Sequence, residues 1–370
     1  MTLREALQHA EERLRAGPHP VRARLDAEAL LLHLTGKNRA WLLAHAADPF
    51  GGCTATQYAA LLQRRLTGEP IQYITGACEF YGLPFRVTPD VLIPRPETEH
   101  LVETALKILG AMPAQLKPLG APSMASAAGG RHGWESNEPQ HHTPSSTPEL
   151  GAPGLASETW ESDEPQGAPS MAAAAGGRHG WESNEPRPAT SPSASQFSPA
   201  QILDIGTGSG AIAIALAHHL PQARVTAIDL SASALSLAEE NAQRNGVSIR
   251  FLQGDLLAAV ALSDATTEVF DLIVSNPPYV SDADLSTVDP EVRDFEPHAA
   301  LFAGPDGLAI YRRLIPASFA ALKSGGWLVL EIGYGQSESV PALCAAAGFH
   351  RITTTPDLQG IPRVVAAAHP

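Results

Sequence analysis

The chain has 370 residues, 44% of them hydrophobic, and a formal net charge of −14. That length allows two or three domains with a sizeable core, and the acidic balance argues against broad nucleic-acid binding, which needs phosphate-facing cations. The three cysteines, Cys53, Cys78 and Cys344, are odd in number, far apart and without metal-ligand spacing; they read as free thiols in a reducing compartment, and no metal site is expected.

The N-terminal stretch "MTLREALQHAEERLRAG" spaces Leu3, Leu7 and Leu14 on one face of a helix and carries charge throughout. It is neither a signal peptide nor a membrane span, so a cytoplasmic protein with no membrane partner is expected. "VRARLDAEALLLHLTG" predicts a second helix ending at Gly36, and "RAWLLAHA" and "TQYAALLQRRLTG" predict two more. Residues 1–75 carry nine Lys and Arg against seven Asp and Glu. A slightly basic part of an acidic chain suggests a recognition domain over residues 1–70; a solvated helical face explains the same charges. Residues 71–96 are rich in β-branched and aromatic side chains around Gly82 and Pro84, which predicts a β-hairpin linking two domains. A helix resumes in "ETEHLVETALKILG", with acids in its first turn.

Residues 112–196 break this pattern, being rich in Pro, Gly, Ala and Ser. "GAPSMASAAGGRHGWESNEP" at 120–139 returns at 167–186 with only Ser126 exchanged for Ala173, and a degenerate copy lies at 151–166. Near-identity over twenty residues indicates a recent duplication and not a repeat tuned for stacking. With few large aliphatic side chains, the segment is expected to be a disordered insertion. Its histidines, His132, His141, His142 and His179, have no scaffold to bring them together on a metal.

From residue 200 onward strands and helices alternate. Strands are predicted at 201–205, 224–229, 249–253, 270–275, 326–332, 350–355 and 362–368, and helices at 210–219, 232–245, 307–323 and 337–347. This pattern is that of a doubly wound, mostly parallel α/β sheet of seven strands, Rossmann-like, built from residues 97–111 and 197–370. In "QILDIGTGSGAIAIALA" an apolar strand runs into Gly206, Thr207, Gly208, Ser209 and Gly210 and then into an Ala/Ile/Leu-rich helix. Glycines let the backbone approach a ligand and tolerate positive φ, and the helix start offers free N–H groups. Asp204 could hold the loop or a ligand amino group. Asp229, ending the next strand, can accept both hydroxyls of a ribose. Asp255 and Leu256 follow the third strand, where a carboxylate can take an adenine amine and an apolar chain can flank the ring; for Asp255 a helix N-cap is the competing role. Alone, this loop is ambiguous between a nicotinamide dinucleotide and S-adenosylmethionine.

The string Asn276-Pro277-Pro278-Tyr279, after the fourth strand, resolves the ambiguity towards the methyl donor. An amide or amino nitrogen with a delocalised lone pair is a poor nucleophile. The Asn276 carbonyl and the Pro277 backbone carbonyl can accept its two N–H bonds and aim it. Pro277-Pro278 stiffens the loop, and Tyr279 packs on a flat substrate group. A strand followed by a proline turn would read the same, but the glycine loop some 70 residues upstream supports an active site. Glu331 ends the fifth strand on the same rim, in a structural or a functional role.

With these residues in view, the chain resembles the PrmC/HemK family of S-adenosylmethionine-dependent N5-glutamine methyltransferases. The likeness covers residues 1–111 and 197–370 and is carried by "DAEALLLH", "RRLTGEPIQYITG", "LIPRPETE", "DIGTGSGAIAIALA", "SNPPYV", "PEVRDFEPHAALFAGPDGLAIYRRL" and "LEIGYGQ". It implies that the substrate is the glutamine of the GGQ loop of peptide chain release factors, in translation termination, and that the helical N-terminal domain grips that partner. It further implies that Arg95 and Glu97 organise the cofactor region or the domain interface. A monomer without direct nucleic-acid contact is expected. Two departures stand out: the insertion, where the family has a short connection, and Leu256, where an aromatic often follows the Asp. The competing enzyme reading is a nucleic-acid amino-methyltransferase, which the charge balance disfavours. A non-catalytic binding protein is disfavoured by the intact glycine loop, Asp229 and NPPY.

Overall fold

A computed structural model describes residues 1–110, 198–258, 260 and 269–370; the 112–196 insertion, with its repeats and histidines, lies outside the described residues. The described residues begin with helices α1 (Leu3–Arg15), α2 (Ala23–Thr35), α3 (Arg39–Ala44), α4 (Gly52–Leu66) and α5 (Ile71–Thr75). Thr2 and Glu5 form a reciprocal capping box at the start of α1, which satisfies two N–H groups that would otherwise lack partners. Its Leu3, Ala6, Leu7, Ala10 and Leu14 stripe is buried and joins α2 and α4 in one apolar cluster. Gly36 ends α2 with φ 64, the left-handed cap that glycine adopts without Cβ strain.

The hairpin is shorter than the sequence pattern suggests. Residues 71–75 form α5, and only β1 (Ala77–Phe80) and β2 (Leu83–Arg86) pair. Ile71 and Ile74 of "IQYIT" are buried in the helical cluster and Tyr73 packs with Val87, Val91 and Ile93; packing overrides a weak strand preference there. Tyr81 and Gly82 both take positive φ, 52 and 73, as a tight two-residue hairpin turn requires. A short 3-10 turn (Pro96–Thr98) then leads into α6 (Glu99–Ile108).

The remaining chain builds β3 (Gln201–Ile205), α7 (Ala211–His219), β4 (Arg224–Asp229), α8 (Ala232–Arg244), β5 (Arg250–Gln253), β6 (Phe270–Ser275), α9 (Pro290–Phe295), α10 (Ala309–Ala321), β7 (Leu322–Glu331), α11 (Ser339–Ala346), β8 (His350–Pro356) and β9 (Pro362–Ala368). The strands form one seven-stranded sheet in the order β5-β4-β3-β6-β7-β9-β8. All neighbours are parallel except β9, which runs antiparallel to β7 and β8. Side chains alternate between two covered faces, so the strands read as unbroken apolar runs. Ile202, Val225, Leu272 and Val329 pack with α6 and α7, whereas Leu203, Ile205, Ile273 and Leu328 pack with α10 and α11. The fifth strand of this sheet starts earlier than the predicted residue 326: Leu322 pairs with Phe270, and continuous pairing resumes at Trp327 opposite Leu272. Residues 323–326 bulge out of the pairing with β6, while Gly325 and Gly326 keep backbone hydrogen bonds to His369; the Gly325-Gly326 pair hides the strand's start in the sequence pattern. Among the described residues no helix is long and apolar enough to cross a membrane.

Candidate active site

The order of the strands reverses between β3 and β6, and the loops after both open at the same edge, where open α/β sheets bind ligands. Register brings the two motifs together. Asp204 lies opposite Val274, so Gly206 and Asn276 each follow two residues later. The buried Ser275 hydroxyl donates to the Ile205 carbonyl at 2.6 Å, which ties the last strand residue before each loop.

The glycine loop is held by its own side chains. Asp204 is fully buried and accepts from the Thr207 hydroxyl at 2.6 Å. Burial pushes its carboxyl up to about 7, against the Thr207 hydrogen bond. Asp229 accepts from the Gly208 and Ser231 N–H groups at 2.8 and 2.9 Å, so the carboxylate and the loop position each other. Asn241 of α8, which no sequence motif marks, is fully buried. It donates to the Ser209 carbonyl at 2.9 Å and to the Arg86 carbonyl at 3.0 Å, linking loop to hairpin. Gly206 and Gly208 have φ 73 and 56, and a Cβ on either would meet nothing within 4 Å. Gly210 differs: a Cβ there would lie 2.9 Å from Ile214 and 3.1 Å from Ala238, so this glycine lets α7 approach α8.

Asp255 is not drawn into the loop. Its carboxylate pairs with Arg313 of α10 at 2.5 Å, both side chains being about half exposed. Leu256 adopts φ 52, unusual for a leucine, and is partly buried against the core cluster that includes Tyr311 and Leu314.

At NPPY the structure adds partners. Asn276 Nδ2 donates to the Thr98 hydroxyl at 3.1 Å. Thr98 donates in turn to Glu331 Oε2 at 2.6 Å, and the Tyr279 hydroxyl donates to Glu331 Oε1 at 3.3 Å. Burial raises the Tyr279 phenol above its ordinary range, and the Glu331 carboxylate raises it further. Gln336 braces the loop from behind: its Nε2 donates to the Tyr279 carbonyl at 3.1 Å while its Oε1 accepts from the Gly333 N–H at 2.9 Å. Gly307 sits so close that a Cβ would stand 2.3 Å from the Tyr279 carbonyl oxygen. Thr98, Gly307 and Gln336 were legible only as parts of the strings "PRPETE", "GPDGLA" and "GYGQ", without roles.

Asn276, Pro277, Tyr279 and Glu331 line a pocket whose apolar wall is Leu92, Val280, Val288, Val292 and Leu301, with Arg95, Glu97 and Asp289 as polar members. Arg95 is ion-paired with the buried Glu296, and Arg65 of α4 pairs with Glu291 at 3.0 Å. The 289–296 segment that walls the pocket is thus held from both the N-terminal helices and the "PRPETE" turn.

This arrangement is that of a Rossmann-like methyltransferase, and residues 193–291 match the family described as methyltransferase small domain. Residues 5–76 match the PrmC N-terminal domain. Release factor glutamine methyltransferase from Koribacter versatilis is 34% identical over 370 residues, covering 100% of this chain and 99% of that one. The Escherichia coli protein of the same name is 33% identical over 97% of this chain and 95% of its own. Among solved structures, TrmN from Thermus thermophilus is 26% identical, covering 46% of this chain and 45% of that one with a TM-score of 0.33. The chain belongs to the release factor glutamine methyltransferase family.

Proposed function

We propose that this protein methylates the side-chain amide nitrogen of the glutamine in the GGQ loop of peptide chain release factors, with S-adenosylmethionine as donor. The observation that carries the reading is the fixed direction of the Asn276 amide. Its Nδ2 is held by Thr98, which leaves Oδ1 as an acceptor. A glutamine amide has two N–H bonds, and Asn276 Oδ1 and the Pro277 carbonyl would each take one. The apolar pocket wall would receive the methylene stem, and Tyr279 would flank the planar amide.

The donor fits the residues present. Gly206 and Gly208 leave clear space where any other residue would project a Cβ, and each Asp229 oxygen keeps a lone pair for a ribose hydroxyl beyond its bond to the loop. Thr207, Ser209 and Gly210 would complete the wrap around the methionine half, with Asp204 fixing Thr207. Asp255 would exchange an exposed ion pair, worth little in water, for the adenine amine, with Leu256 beside it. Bound S-adenosylmethionine supplies an electrophilic methyl on a sulfonium. Asn276 and Pro277 would hold the amide nitrogen that accepts this methyl, and the nitrogen's extra proton would leave to solvent. Orientation then carries most of the rate. The slightly basic N-terminal helices would dock the release factor. The acidic net charge and the match to the PrmC N-terminal domain speak against a nucleic-acid substrate.

The test is transfer of labelled methyl to a purified release factor, wild type and with its GGQ glutamine replaced. Label on the wild-type factor alone is the expected result; equal label on both, or none, would overturn the assignment.

A further inference from the structure

We propose that Glu331 is a positioning residue for methyl transfer, acting through Thr98 to keep the Asn276 carbonyl turned to the substrate. The inference rests on the glutamine-methylation reading above and adds what sets the polarity of the site. Glu331 ends β7 and is 1% exposed. Its Oε2 accepts the Thr98 hydroxyl proton at 2.6 Å. A threonine hydroxyl has one proton. With that proton committed to the carboxylate, Thr98 Oγ1 can only accept on its other side, and it accepts from Asn276 Nδ2 at 3.1 Å. The direction therefore runs from the acceptor-only carboxylate, through the hydroxyl, to the asparagine amide, and ends with Oδ1 free for a substrate N–H.

A neutral Glu331 carboxyl can donate instead. Thr98 would then be free to donate to Asn276 Oδ1, the amide would turn over, and its NH2 would face the substrate NH2. Two donors facing one another cannot aim the nitrogen. The groups around the carboxylate decide which state holds. Tyr279 of the NPPY loop donates to Oε1, and Tyr311 of α10 donates to the Glu331 backbone carbonyl at 2.7 Å. Arg363 of β9 and Glu97 of the 3-10 turn share the pocket, as does Arg95, which is committed to Glu296. Burial pushes the Glu331 carboxyl up to about 7, the Thr98 hydroxyl and Arg363 oppose that, and Glu97 adds to it. Ionisation, and with it the productive amide, is favoured as pH rises through that value.

The test is steady-state methylation of release factor by the full chain across about pH 6 to 9. The variants are Glu331→Gln, Thr98→Val and Thr98→Ser, each checked by circular dichroism and cofactor titration. Wild-type kcat should rise with pH along a limb near 7. Glu331→Gln and Thr98→Val should lose on the order of 10- to 100-fold in kcat, with KM for release factor and cofactor affinity within about twofold, and the limb should vanish in Glu331→Gln. Thr98→Ser should restore most of the rate. A Ser variant as slow as the Val variant, a limb that persists in Glu331→Gln, or unchanged kcat in both would overturn the proposal. If Glu331→Gln fails to fold, the Val and Ser pair at position 98 decides alone. A wild-type protein that labels no release factor refutes the methylation reading itself, a failure distinct from these.

Discussion

Asn276 and Thr98, 178 residues apart in the chain, are joined by a hydrogen bond of 3.1 Å in which the asparagine is the donor. The bond links two motifs that look independent in the sequence, NPPY and "PRPETE", and engages the asparagine NH2, so its carbonyl remains an acceptor. Thr98 is itself buried, and its hydroxyl connects the Asn276 amide to Glu331.

Replacing Asn276 by Ala removes the acceptor proposed for the substrate amide and the bond to Thr98. Turnover should fall by about 100- to 1000-fold, the range typical for loss of one aligned hydrogen-bonding group, while S-adenosylmethionine affinity changes little. Calorimetric titration of the cofactor alongside single-turnover methylation separates the two. A variant that loses cofactor binding in step with turnover would place Asn276 in the cofactor site alone.

Gly206→Ala and Gly307→Ala should both fail, for different reasons. Both positions have positive φ, 73 and 69, which costs any other residue about 1–2 kcal/mol. At position 206 the new methyl meets no protein atom, so the variant should fold and lose cofactor affinity. At 307 the methyl would collide with the Tyr279 carbonyl, so the NPPY loop must shift. That variant should bind cofactor and lose turnover, with a lower unfolding midpoint. Equal loss of cofactor affinity in the two variants would contradict the distinction.

Arg65 is 1% exposed. It donates to Asp26 at 2.7 Å, to the Glu69 carbonyl at 2.8 Å and to Glu291 at 3.0 Å. Arg65→Ala would leave two buried carboxylates without their shared cation, a change that costs about 3–5 kcal/mol. Because Glu291 lies on the segment walling the pocket, KM for release factor should rise as well. Denaturant unfolding checks the first expectation; a loss under about 1 kcal/mol would show that the cluster hydrates without cost.

Asp204 sets a pH dependence of stability. Its ordinary pKa is 3.8 and burial holds the folded value at about 7. Between those values the folded chain keeps a proton that the unfolded chain releases, so stability is lost as pH rises through that window. Asp204→Asn keeps an oxygen for Thr207 and removes the ionisation. Its stability relative to wild type should therefore be greater at about pH 8 than at about pH 4, by a few kcal/mol. The same difference at both pH values would refute the assignment.

The doubly wound sheet was legible because its strands are apolar on both faces and its helices carry clear periods. Strand ends agree with the pattern within a residue or two except at Leu322, where two adjacent glycines mask the start. α5 is hidden in the sequence because isoleucine and threonine favour strands locally, whereas here Ile71 and Ile74 fill a helical core. The glycine loop and NPPY stand out by chemistry and spacing, and the pairing of β3 with β6 brings both to one edge of the sheet. The relay through Thr98, the brace at Gln336 and the anchor at Asn241 were not legible, since each depends on a partner brought close only by sheet register. Nor was the ion pair of Asp255 with Arg313, which joins the end of β5 to a helix some 58 residues on.

The most direct test of the central claim is peptide mass spectrometry of release factor after incubation with the enzyme and S-adenosylmethionine. The account expects one added methyl on the GGQ glutamine side chain, absent when Asn276→Ala replaces the wild-type enzyme. A methyl on any other residue, or on the glutamine at an undiminished rate with Asn276→Ala, would contradict it.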